Sequence, residues 1–143
     1  MDACALIQPV DVASLVGGAA AQAGKPTPMA KALHGKCTWT DKIVTLDVMV
    51  QTIPNDYSTF LNGMRTTAGF SKGNIVVTDE SGIGEAALSE LMIRKNWFPP
   101  EGVTFIICKH HRILQIAYSG AGKGVEATRD LVRPIARRAA DRF

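Results

Sequence analysis

Cys4, Cys37 and Cys108, with His34, His110 and His111, are the thiols and imidazoles from which a redox, nucleophilic or metal site would have to be assembled. Redox and zinc cysteines usually sit two residues apart, because one tight turn must bring both sulfurs to a point. Cys4 and Cys37 lack that spacing. Joined to each other, they would place the chain in an oxidising compartment, where disulfides persist. Cys108 closes the apolar run Phe105-Ile106-Ile107 and reads as a buried, inert thiol. His34 stands three residues before Cys37, and His110 and His111 follow Cys108 closely, so a zinc or haem site through His110 and His111 is one reading. The other is plainer. Neighbouring histidines on a strand point to opposite faces, and on a turn they meet water.

Ser119-Gly120-Ala121-Gly122-Lys123-Gly124 lies between a predicted strand and a predicted helix, the context of a phosphate-binding loop. Ala117 occupies the place of that loop's first glycine, and Gly124 the place of the Ser or Thr that would hold magnesium, which argues against nucleotide hydrolysis. A simple anion held by the backbone of Gly120 and Gly122 with Lys123 is the surviving version, set against a flexible connector. Gly82-x-Gly84-x-x-Ala87 has glycines of a dinucleotide fingerprint but leads into Asn96-Trp97-Phe98-Pro99-Pro100, and is read as a turn. Asp79, Glu80 and Glu85 lack the ligand spacing of a calcium loop.

Arg129, Arg133 and Arg137 make a stripe along the last predicted helix and are a candidate face for an acidic partner. Arginines late in a helix also suit its dipole, and Asp130 and Asp141 lie within one turn, so a solvated face is the default. Trp39, Trp97 and Phe98 belong to a groove or, first, to the core. No Ser-His-Asp order, H-E-x-x-H or spaced acid pair stands out, so no catalytic, cofactor or metal residue is assigned and the reading leans away from an enzyme.

The elements that must position these residues follow from periodicity. Asp11 is the expected cap of a first helix carrying Val12, Leu15 and Val16, ended by Gly17-Gly18; Ala23 to Pro28 favours an extended loop. Residues 37–41 and 43–52 read as a hairpin turned near Asp41-Lys42, with Val44, Leu46, Val48 and Val50 alternating. Pro54-Asn55-Asp56 opens a second helix with Tyr57, Phe60, Leu61 and Met64 at helical spacing, stopped by Gly69. Ile75-Val76-Val77 is a short strand, and residues 82–95 are read as a turn followed by a strand. Another hairpin, 103–109 and 113–118, reverses around His110-His111-Arg112. The last helix, about Val125 to Arg142, has Thr128, Leu131, Val132, Ile135, Ala136, Ala139 and Ala140 on its apolar side and a kink expected at Pro134.

Hairpin-linked strands predict an α+β fold: an antiparallel sheet of about five strands with helices packed mainly on one face, one domain over 1–143. The chain has 143 residues, net charge +3, 46% hydrophobic and 20% charged residues, an ordinary globular balance with basic and acidic residues interleaved. That excludes a strongly basic nucleic-acid binder, and no run is long and apolar enough for a membrane span. The start, Met1-Asp2-Ala3-Cys4, has no basic segment followed by an apolar one.

Asp2-Ala3-Cys4-Ala5-Leu6-Ile7, then Asp11 to Gly17, then Cys37-Thr38-Trp39, resembles the pattern C-x-L-[LIV], helix, Gly, C-x-W of uncharacterised bacterial secreted or lipid-anchored small domains. Gly82 to Ala86 and the closing helix are similar too. The resemblance implies a bacterial extracytoplasmic (periplasmic or secreted) protein with a leader upstream of Met1, and a Cys4–Cys37 disulfide that joins Trp39 in pinning the first helix to the sheet. Three function classes follow: a non-enzymatic extracytoplasmic domain binding a protein partner or small ligand; a cytosolic anion- or nucleotide-binding protein using Gly120–Gly124; and a metal or haem binder through His110 and His111.

Overall fold

A computed structural model describes residues 2–17, 25–26, 33–53, 56–93 and 101–143. Trp97, Phe98 and most of the expected 23–28 loop lie outside them. After a 3-10 turn at Ala3–Leu6, capped by Asp2, the chain forms α1 (Pro9–Leu15), β1 (Lys25–Pro26), β2 (Leu33–Asp41), β3 (Val44–Thr52), α2 (Tyr57–Gly69), β4 (Ile75–Glu80), β5 (Ala86–Met92), β6 (Gly102–Lys109), β7 (Arg112–Ser119) and α3 (Val125–Arg142). The strands make one sheet in the order β1-β2-β3-β7-β6-β5-β4, antiparallel throughout. This is the α+β fold expected, with six full strands instead of about five, and β1 a two-residue bridge beside β2.

Alternation assigns the two faces of the sheet. Trp39, Leu46, Val48, Val50, Leu114, Ile116, Tyr118, Val103, Phe105 and Ile107 point to one side, where α1, the 3-10 turn and α3 bury them. Ile113, Ile106, Cys108 and Leu88 point to the other, under Leu61 and the partly buried Tyr57, Phe60 and Met64 of α2. Burial of a large aliphatic side chain contributes about 1.5–3 kcal/mol, so the first face holds most of the stability. Tyr118 also donates its hydroxyl to the Leu15 carbonyl at 2.5 Å, tying α1 to the sheet centre.

α1 starts earlier than expected. Pro9 lies in its first turn and Gln8 is the cap, because a proline lacks only an amide that would have no partner there. Asp11, expected as the cap, is buried inside the helix, and its Oδ1 accepts from Arg138 Nη2 of α3 at 2.6 Å. The cap read for α2 holds: Asp56 Oδ1 accepts the Thr59 amide at 2.8 Å. α3 runs unbroken past Pro134, which is on its exposed side. Leu131, expected to be apolar core, is 40% exposed.

Glycines fix two close approaches. At Gly84 (φ +61) a Cβ would lie 2.7 Å from Ile107 Cγ2 and 2.8 Å from the Cys108 carbonyl oxygen, and at Gly120 (φ +90) it would lie 2.1 Å from the Ile43 carbonyl oxygen. Only glycine fits either place.

Candidate functional site

Cys4 and Cys37 form a disulfide, with Cα atoms 5.1 Å apart, and Cys37 and Trp39 are buried in the larger core cluster with Cys4 packed against it. The bridge is therefore a brace between the N-terminal turn and β2. Cys108 is free and buried; burial, then the nearby Glu85 carboxylate, pushes its thiol up to about 11, which keeps it protonated and unreactive at neutral pH.

The two histidines of the β6–β7 turn both have positive φ, 51° and 60°. Their backbones are held: the His110 amide donates to Glu85 Oε1 at 3.2 Å, and the His111 amide to Tyr57 Oη at 2.9 Å. The rings are exposed. His34 instead contacts Thr52 Oγ1 at 2.5 Å, on β3. Among the described residues no three His, Cys, Asp or Glu side chains gather at one point. In the Gly120–Gly124 loop, Gly120, Gly122 and Gly124 have positive φ, the Gly120 amide donates to the Glu101 carbonyl at 3.4 Å, and Lys123 is exposed. Gly120 is thus used to pass close to the β2–β3 turn.

The arginine stripe divides in a way the sequence did not reveal. Arg133 donates from all three nitrogens: Nε and Nη2 to the two Glu80 oxygens at 2.8 and 3.0 Å, and Nη1 to Asp130 at 2.7 Å. Burial raises the Glu80 carboxyl, but hydrogen bonds from Arg133 and Ser89 outweigh it and hold it below the usual range. Arg129 has one weak bond, Nη1 to Thr78 Oγ1 at 3.3 Å, and its Nε is buried without a partner among the described residues. Arg137 is exposed.

Thr78 and Glu80, the partners of Arg129 and Arg133, are on β4, which among the described residues is one of the two edge strands of the sheet, the other being the two-residue β1. The backbone phase of β4 can be worked out. Asn74 and Ile93 are opposite residues on the β4–β5 register, and Ile93 N donates to the Asn74 carbonyl at 2.8 Å. Opposite residues that share a bond recur at every second position of an antiparallel pair. Val76, Thr78 and Glu80 therefore turn their amides and carbonyls inward to β5, while Ile75, Val77 and Asp79 turn theirs outward. The first outward pair is already closed, since Ser71 Oγ accepts the Ile75 amide at 2.9 Å. Val77 and Asp79 have no such partner among the described residues.

Beside this edge runs a groove of about 530 Å³, lined by Arg65, Ala68 and Gly69 of α2, by Gly73 and by Ile75, Val76, Val77 and Asp79. Asp79 pairs with Arg65 at its rim, at 2.5 Å. A second groove, about 430 Å³, lies between Phe60, Met64 and neighbouring residues of α2 and Glu90 of β5, whose carboxyl is raised by burial. Sequence reasoning singled out Val76 and Val77 only as strand residues, because nothing local says which strand ends the sheet.

No family model, curated protein or solved structure matches the chain. Among the described residues no helix is long and apolar enough to cross a membrane.

Proposed function

We propose that this chain is a non-enzymatic, extracytoplasmic domain that binds a protein partner, and that the partner adds an extended segment to the free edge of β4. The observation that carries the reading is the outward backbone of Val77 and Asp79 beside the groove walled by α2. Edge strands are usually blunted with prolines, lysines, bulges or inward-pointing charges. β4 has no proline, lysine or bulge, and its two acids, one of them Glu80 with a buried side chain, are each neutralised by an arginine. Such an edge suits an extended chain better than a small ligand, because it offers donors and acceptors in register, with side-chain space on alternate sides. The Cys4–Cys37 bridge supports an oxidising compartment.

The test is to select binders from a displayed library of short random peptides on the oxidised protein, then follow amide hydrogen exchange. Bound peptides should slow exchange at Val77 and Asp79, and Asp79→Pro, which removes one outward donor, should abolish binding while the protein stays folded. Binders that leave those amides unprotected, or that bind Asp79→Pro equally well, would overturn the reading.

A further inference from the structure

A strand added antiparallel to β4, as every other strand of this sheet pairs, would place one of its residues directly opposite Thr78. Thr78 gives its own backbone bonds to β5, so this outer pair is of the non-hydrogen-bonded kind, in which facing Cβ atoms come within about 4.5–5.5 Å. The side chain opposite Thr78 must lie on the same face as Thr78, the face covered by α3. Arg129 reaches that point from α3, contacting Thr78 Oγ1 through Nη1 at 3.3 Å.

Arg129 and Arg133 share two carboxylates there, Glu80 and Asp130, and share them unequally. Asp130 Oδ1 is 3.9 Å from Arg129 Nε, and the same oxygen takes the 2.7 Å bond from Arg133 Nη1. Glu80 is occupied by Arg133 and Ser89. Arg129 therefore donates no hydrogen bond to a carboxylate among the described residues, although its side chain is only 20% exposed. A guanidinium so far removed from water gains from an anion, and its planar donors match a carboxylate.

On the opposite face, side chains of the added strand that flank this position enter the groove at Ala68, Gly69, Ile75 and Val77. Small and apolar walls leave room there for an aliphatic side chain, next to the Arg65–Asp79 pair.

Resting on the strand-addition reading above, we infer that the partner segment carries an acidic residue opposite Thr78, flanked by an apolar residue directed into the α2 groove, and that Arg129 is the residue that selects it. The occupant is thus an extended acidic-apolar peptide, not a second copy of this chain. In a symmetric β4–β4 pairing centred on Thr78, threonine would face threonine, and in the one centred on Asp79 the Glu80 brought opposite Thr78 is already held by Arg133 of its own chain, so Arg129 would gain no free anion in either.

The experiment uses peptides selected on the oxidised, full-length protein from a displayed random library. An Asp or Glu next to an apolar residue should be enriched. Replacing that acid by its amide should weaken binding roughly tenfold to a hundredfold, the range of a charge-assisted hydrogen bond. Arg129→Met should lose about as much affinity for the acidic peptide, while discriminating little between acid and amide; Arg129→Lys should restore part of the preference. Urea unfolding of both variants shows that they remain folded.

Peptides that depend on the β4 edge, being lost with Asp79→Pro, but show no acid preference would overturn the role of Arg129 and leave strand addition standing. Peptides indifferent to Asp79→Pro would overturn both. Sedimentation showing a dimer of the protein alone that Asp79→Pro dissociates would assign the edge to a second copy, against this inference.

Discussion

Proline scanning of β4 tests the backbone phase on which the binding site depends, because neighbouring residues should respond in opposite ways. Asp79→Pro removes an amide that faces outward, so no bond to β5 is lost. What goes is the Arg65–Asp79 pair, whose side chains are 39% and 76% exposed, and such surface pairs contribute about 0–1 kcal/mol. A proline compatible with the strand also restricts the unfolded chain, offsetting about 0.4–1 kcal/mol. Stability should stay within about 1 kcal/mol of the parent. Thr78→Pro removes an inward amide and leaves the carbonyl of its opposite residue, the fully buried Ser89, without its donor, at about 1–3 kcal/mol. The proline ring is also forced towards β5, and Arg129 loses its hydrogen bond to Thr78. A loss of at least about 2 kcal/mol is expected. With a urea slope of about 2 kcal/mol per M, the Asp79→Pro midpoint should move by less than about 0.5 M and the Thr78→Pro midpoint fall by more than about 1 M. If Asp79→Pro were the damaging change and Thr78→Pro the tolerated one, the phase would be reversed and the outward groups would be those of Thr78. The proposed site would then be lost.

Reducing the Cys4–Cys37 bridge, which spans 33 residues, should cost roughly 3–4 kcal/mol of loop-closure stabilisation, read as a lower urea midpoint with reductant; an unchanged midpoint would refute the bracing role. Glu80 and Glu90 should leave opposite marks on stability against pH. The Glu80 carboxyl is lowered in the folded state, so its contribution is present above about pH 4.5 and is lost as pH falls through the folded value, and Glu80→Gln should flatten that acid limb. Glu90 is raised, so stability falls as pH rises from about 4.5 through its folded value; Glu90→Gln should raise the urea midpoint at pH 7, and the gain should vanish in acid. Gly120→Ala should destabilise by at least about 1–3 kcal/mol, since its Cβ has no room beside Ile43 and φ is +90°, and an unchanged melting temperature would refute the close approach.

Much of the architecture was legible because its causes are local. Val44, Leu46, Val48 and Val50 alternate, and all but Val44 are fully buried on one face; Asp56 followed by Tyr57, Phe60, Leu61 and Met64 defines α2 and its cap. The strand within 82–95 was legible only as a strand after a turn, and it is Ala86–Met92. Asp11 has the look of a cap in the sequence because its partner, Arg138, is 127 residues away. The same limit hid the site. Arg129 and Arg133 are equivalent on a helical wheel, and what separates them is that β4 lies beside α3 with Thr78 under one and Glu80 under the other. Strand order is a property of the whole sheet, so the free edge could not be read from any window of the chain.

The construction of β4 also bears on affinity. Strand addition carries an entropic cost for every backbone that must be ordered on binding. β4 is already fixed from three sides: Ser71 closes its first outward amide, Arg65 holds Asp79, and Arg133 with Ser89 holds Glu80. The template therefore contributes little to that cost, and most of it falls on the incoming segment. A segment already stiff in the extended form, rich in β-branched residues around its acidic position, loses less freedom than a glycine-rich one of the same charge. The open edge is thus a selector by two independent properties: Arg129 acts on charge, and the rigidity of β4 leaves the peptide's own stiffness to decide the rest.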